Sequence, residues 1–165
     1  ARAIIARADQ IARMKALGVQ PSFLMNHVHL YGAAYRDVLF GPERANRMDA
    51  AGDCVKAGIP FTFHTDSPVT RIGVLQLVQT AVTRRCLVDN SVVGAEQAVS
   101  VTDALKAVTI HAAGQIGLQD RLGSLERGKE ADLTILESDP YKVEPDKIAE
   151  IKVSETWVAG KKASG

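Results

Sequence analysis

The chain is poor in the residues that would mark several large classes of protein. Cysteine occurs twice in 165 residues, at Cys54 and Cys86. Both fall in segments patterned as helices, so a disulfide framework is excluded and a reducing, cytoplasmic compartment is expected. Charge of either sign is not in excess: 20 Lys and Arg face 19 Asp and Glu, for a formal net charge of +1. With no basic block or stripe, neither nucleic acid nor an anionic membrane is expected as a partner. No apolar run approaches the roughly 20 residues that span a bilayer. No charged stretch followed by an apolar core opens the chain, so no secretory leader is read there. Position 1 is Ala, and the missing Met is read as a start that is not a natural one. Short-period repeats and low-complexity tracts are also absent. What is left is 46% hydrophobic and 24% charged residues, the composition of a soluble globular domain long enough to bury its own core.

The stretch Ile59-Pro60-Phe61-Thr62-Phe63-His64-Thr65-Asp66-Ser67-Pro68-Val69 stands out. It follows Gly58, a residue suited to ending a helix in the left-handed conformation. Its apolar, aromatic half reads as a buried strand, its polar half as the strand's end, and Pro68 as the stop. A carboxylate and an imidazole at the C-terminal end of a buried strand is how α/β barrels build active sites. Read locally, two bland alternatives stand beside this: Asp66 caps the next turn, and His64 is a core histidine bonded to backbone.

A similar unit precedes it. Residues 9–17 carry Ile11, Met14 and Leu17 at helical spacing, with Asp9 suited to the start and Gly18 to the end. Residues 19–25 read as a strand, Asn26-His27-Val28-His29-Leu30-Tyr31-Gly32 as its polar and aromatic end, and residues 33–41 as a loop. Pro42 suits the first turn of a helix running to about Ala57, with Met48, Ala51 and Val55 on one face. Gly18 and Gly58 thus recur 40 residues apart, each between a helix and a strand, close to one βα repeat of a TIM barrel. Further helices are expected over residues 73–86, with Leu75, Val78 and Val82 inward, and from Ser100 to about Ala113. Residues 89–99 between them read as a loop. From Gly123 the pattern changes to short strands, around Leu133-Thr134-Ile135-Leu136, Ile151-Lys152-Val153 and Thr156-Trp157-Val158, with a turn at Ala159-Gly160-Lys161.

Four quoted segments, taken in order, carry a family resemblance. They are His64-Thr65-Asp66-Ser67-Pro68-Val69, Thr109-Ile110-His111-Ala112-Ala113, residues 120–133 (Asp120-Arg121-Leu122-Gly123-Ser124-Leu125-Glu126-Arg127-Gly128-Lys129-Glu130-Ala131-Asp132-Leu133), and Thr156-Trp157-Val158-Ala159-Gly160-Lys161. This set resembles the C-terminal part of metal-dependent amidohydrolases, closest to the branch called amidohydrolase family 3, with its exoenzyme-regulatory and N-substituted formamide deformylase-like members. The resemblance implies an α/β fold: the C-terminal portion of a TIM barrel over residues 1–120, then part of a small β-sandwich over 121–165.

The resemblance also implies a chemistry. Family members hydrolyse carbon–nitrogen bonds of small amide-type substrates with one or two divalent metals, often zinc, at the barrel mouth. Asp66 matches the aspartate of the eighth strand, which binds metal and moves protons. His27, His29 and Ser67 are candidate substrate contacts, and His64 is expected to support Asp66 from behind. His27-Val28-His29 has the spacing of a metal-binding His-x-His but not its early-strand place, and Ile4-Ile5-Ala6 stands where the family usually has a histidine. The expected metal ligands of the earlier strands are absent, so the chain alone is expected to hold no metal and to be inactive. His111, Asp132 and Trp157 are read as structural. The alternative is a non-catalytic chain that pairs with itself or with the missing barrel half. On either reading Phe23, Leu24, Ile59, Phe61 and Phe63 are expected to face missing neighbours, which favours a homo-oligomer.

Overall fold

Two glycines in the left-handed conformation, Gly18 at φ +64° and Gly58 at φ +66°, lead the chain out of a helix and toward a strand. This is the repeat seen in the sequence, now as geometry. The computed structural model describes residues 4–163. Helix α1 (Ala8–Ala16) is entered from Arg7, whose backbone N–H donates to Gln10 Oε1 at 2.9 Å; Asp9, expected as the cap, sits in the first turn and pairs with Arg7 instead.

Strands β1 (Ser22–Phe23) and β2 (Thr62–Phe63) run parallel, with Ser22 opposite Thr62 and Phe23 opposite Phe63. Both are shorter than the segments read as strands, residues 19–25 and the apolar half of 59–69. Pro21 and Pro60 have no N–H to extend the ladder backwards, although the Pro21 carbonyl still accepts from Thr62 N at 3.1 Å. At the other end a helix begins at once. Residues 26–34, expected as a strand end and loop, form α2 (Asn26–Ala34), which runs into a wide π-type turn at Tyr35–Leu39 where Phe40 N–H donates to the Tyr35 carbonyl at 2.8 Å.

The single helix expected over 42–57 is two, α3 (Pro42–Ala45) and α4 (Ala51–Ala57). They part at Asp49, which takes φ +46° while its N–H donates to the Ile4 carbonyl at 2.7 Å. The break re-aims α4, so Met48 and Ala51 are buried as expected but Val55 is 41% exposed and Cys54 takes the inner face. Helix α5 (Val74–Thr83) ends earlier than expected, at Arg84, and Cys86 therefore lies beyond it, buried, with its thiol donating to the Val28 carbonyl. Helix α6 (Val101–Val108) starts where the sequence put it: Ser100 Oγ accepts from Asp103 N at 3.1 Å. It stops at Thr109, whose hydroxyl bonds back to the Leu105 carbonyl at 2.7 Å, a bond that competes with helix continuation. Helix α7 (Ile110–Gln115) follows.

Helices α6 and α7 lie against β2. His111 Nδ1 meets the Phe61 carbonyl at 3.2 Å and Thr62 donates to Gln115 Oε1 at 2.9 Å. The reading of His111 near a helix C-terminus is thereby corrected: it is the second residue of α7, fixed by a backbone carbonyl. This packing also corrects the expectation of an open apolar face. Phe23, Leu24, Ile59, Phe61 and Phe63 are all buried within the chain, with the Phe23, Phe61 and Phe63 rings in tilted contact.

The C-terminal part is an antiparallel sheet of β3 (Leu133–Leu136), β4 (Val153–Val158) and β5 (Lys161–Lys162), in that order. Asp132 Oδ1 accepts from Ala159 N at 2.7 Å and so holds the β4–β5 turn, in which Ala159 and Gly160 both have positive φ. Trp157 is half-buried and donates to Glu155 Oε2 at 2.7 Å. Between β3 and β4 a 3₁₀ segment, Pro145–Glu150, returns to α5: Ala149 N donates to Gln79 Oε1 at 2.8 Å, and Ile148 is wholly buried in the main core.

One close approach gives a stability prediction. A Cβ at Gly52 on α4 would stand 2.6 Å from the Glu96 carbonyl oxygen and 2.8 Å from Gln97 Cα. Both are backbone atoms, which cannot rotate aside. Gly52→Ala is expected to cost about 1–3 kcal/mol through overpacking, despite the better helix propensity of alanine. A urea midpoint equal to or above that of the unaltered chain would show that the 95–97 turn yields.

Candidate active site

The parallel ladder brings two polar segments to the same end of the sheet. His64 N donates to the Phe23 carbonyl at 3.0 Å, which sets residues 64–66 beside residues 24–26. His64, Thr65 and Asp66 are half-buried; Asn26 is buried and His27 half-buried. Asp66 takes φ +55°, a conformation that aspartate and asparagine tolerate better than most residues. Its carbonyl accepts from Val69 N at 2.8 Å, closing a turn that leaves Ser67, Pro68 and Val69 exposed.

Asn26 joins the two strand ends. Its Nδ2 donates to Thr70 Oγ1 at 2.7 Å, and the Thr70 hydroxyl donates to the Thr65 carbonyl. The other amide atom, Oδ1, is buried without a hydrogen-bond partner among the described residues.

His27 opens α2 rather than ending a strand, and this changes what the His-x-His spacing means. Two residues apart on a strand share a face; two apart on a helix are about 200° apart. His29 accordingly points its Nδ1 toward the Arg85 carbonyl, 3.4 Å away, while His27 shares its face with Tyr31 and Tyr35. The Tyr35 ring stands edge-on to His27 at 5.9 Å and stacks on Phe40 at 4.9 Å. Behind His27 lies Asp49, wholly buried, with Oδ2 3.8 Å from His27 Nδ1. Burial pushes the Asp49 carboxyl up, while His27 and Arg84 pull it down; burial, then the charges of Asp49 and Tyr31, raise Tyr35. Arg84 is wholly buried too and donates to the carbonyls of Val93, Asp49 and Met48. Burial lowers its pKa to about 10, partly offset by Asp49 and Glu96, so it stays charged at neutral pH.

Comparison with known proteins decides the family. The profile described as amidohydrolase family matches residues 1–163. The chain belongs to the amidohydrolase family. Over 104 residues, 63% of this amidohydrolase chain, it is 30% identical to an N-substituted formamide deformylase of Arthrobacter pascens, of which it covers 19%. Over 138 residues, 80% of the chain, it is 30% identical to an imidazolonepropionase of Solibacter usitatus, covering 27% of that protein. The amidohydrolase chain thus spans less than a third of the length of these relatives. Its fold overlays 87% of the chain on 29% of a metal-dependent hydrolase from Pyrococcus horikoshii, with TM-score 0.72 and 29% identity. It overlays 98% of the chain on 36% of a zinc-bound adenosine deaminase from Xanthomonas campestris, with TM-score 0.67 and 20% identity.

Metal ligands can be tested against the donor set in place. Among the described residues no group of three or more His, Cys, Asp or Glu side chains is placed to hold a metal ion. A catalytic zinc normally takes three protein ligands, so the described residues do not by themselves make a metal centre. No helix among them is long and apolar enough to cross a membrane. Sequence reasoning passed over Asp49, Thr70, Tyr35 and Arg84. Asp49 sat inside an expected helix, where an acid reads as surface. Its one signal was its place just before the Ala50-Ala51 run, a start position for a helix.

Proposed function

We propose that this chain is the C-terminal part of a metal-dependent hydrolase of carbon–nitrogen bonds in small amide-type substrates. The observation that carries the reading is the side-by-side delivery of Asn26-His27 and His64-Thr65-Asp66 at the C-terminal ends of two parallel strands. Strands β1 and β2 are then neighbours in a TIM barrel, and the β3–β5 sheet is part of a small sandwich. Asp66 would supply one ligand to a divalent metal, zinc by preference, with further ligands coming from outside the described residues. The chemistry such a metal would supply is a bound water acidic enough to give hydroxide near neutral pH. Asp66 accepts the proton of the attacking water and returns it to the leaving amine. His27 and the exposed Ser67 flank the substrate, and His64 supports Asp66. His29, turned toward the Arg85 carbonyl and away from His27, is left out of the substrate contacts in this reading.

The test is amine release from a panel of N-substituted formamides by the protein at its natural length, with chelator and after zinc is restored. Chelator-sensitive release that zinc restores is expected; release indifferent to chelator sinks the proposal. The 165-residue chain alone is expected to release none. The alternative, a non-catalytic chain that self-associates or pairs with the missing barrel half, draws on the incomplete donor set. It predicts a stable assembly burying more than about 1,000 Å². Light scattering after size-exclusion chromatography checks it, and a monomer at micromolar concentration goes against it.

A further inference from the structure

Asp49 and His27 face each other in a way that the proposed reaction does not use. Asp49 has no exposure, and neither of its carboxylate oxygens has a hydrogen-bond partner among the described residues. His27 Nδ1 is likewise buried and without one. The two groups stand 3.8 Å apart. With no proton between them, two sets of lone pairs would oppose each other out of reach of water, which is costly. With one proton between them, a side-chain shift of about 1 Å closes the gap to an ordinary hydrogen bond.

Arg84 decides which atom keeps that proton. Its guanidinium is wholly buried and donates to main-chain carbonyls, and among the described residues no carboxylate is paired with it. A neutral Asp49 would leave this buried cation without the leading opposite charge acting on it. With the buried guanidinium standing 3.3 Å from the Asp49 main-chain carbonyl, a charged Asp49 would offset it and leave the shared proton to His27. The ring keeps 15% exposure although Nδ1 has none, so its accessible part lies away from Asp49.

We propose that Asp49 is a positioning residue that fixes His27 in its Nδ1–H form, so that Nε2 is offered at the strand end as a hydrogen-bond acceptor for a substrate N–H or O–H. A histidine's free nitrogen is set by the bond that its other nitrogen makes. The role rests on His27 being a substrate contact, but its test does not need turnover. The chain is labelled with ¹⁵N-histidine and read by long-range ¹H–¹⁵N correlation, about two units above the ordinary histidine pKa of roughly 6.5. His27→Gln assigns the signal. The expected pattern is a protonated Nδ1 and a bare Nε2. In Asp49→Asn, an amide of the same shape can donate to Nδ1, and the Nε2–H form is expected to gain several-fold. An Nε2–H form in the unaltered chain overturns the proposal whether or not the variant folds, as does an unchanged tautomer in a folded variant. Failure of the formamide assay would leave this result standing.

Discussion

Asp66→Asn, made in the protein at its natural length, is expected to lower hydrolysis by at least about 10²–10⁴-fold, the usual loss with a general base. The substitution isolates chemistry from folding. Asp66 has φ +55°, and asparagine shares aspartate's tolerance of that region, whereas alanine would add backbone strain. The turn bond from Val69 N goes to the Asp66 carbonyl, which the change leaves alone. Activity should therefore fall with little change in the unfolding midpoint. Turnover within a few-fold of normal, in a variant shown to be folded, would remove Asp66 from the mechanism.

Arg84→Met is expected to cost about 3–5 kcal/mol of stability, the usual result of breaking a buried charge arrangement from one side. The guanidinium donates to Val93 at 3.0 Å, Met48 at 2.7 Å and Asp49 at 3.3 Å. The Asp49 carbonyl also accepts from Ala51 N, but Met48 and Val93 would each lose a donor, at about 1–3 kcal/mol for a buried group left unpaired. The Asp49 carboxylate would lose its compensating charge as well. Arg84→Lys should recover only part, since one ammonium cannot reproduce the fork. Urea unfolding checks both variants. A loss under about 1 kcal/mol in Arg84→Met would mean that the interior repacks around the missing fork.

The elements that the sequence made legible are those marked by a local chemical necessity. Gly18 and Gly58 mark helix ends, Ser100 a helix start, and the apolar runs before Asn26 and Asp66 the paired strands. Lengths were overread because prolines and breaks act through tertiary partners. Pro21 and Pro60 trim the strands, and Asp49 breaks its helix to bond Ile4, a residue 45 positions away. Of the candidate site, Asp66, His64 and His27 were visible as polar groups at strand ends. The residues behind them were not, because burial of Asp49 or Arg84 depends on segments that only the fold brings together. Arginine at φ +57°, just past α5, is the least expected: its backbone takes a place that usually suits glycine, and its side chain is wholly buried.

The Asn26–Thr70–Thr65 link has a consequence for engineering. It pins the turn after β2, with Thr65 and Thr70 as the bonded posts and Ser67, Pro68 and Val69 as an exposed span between them. Diversity introduced at Ser67 and Val69 therefore varies an exposed turn while the bonds made by Thr65 and Thr70 stay in place. The same diversity at Asn26 or Thr70 would loosen the frame itself. A library confined to the span varies this face without disturbing the bonded frame beneath it.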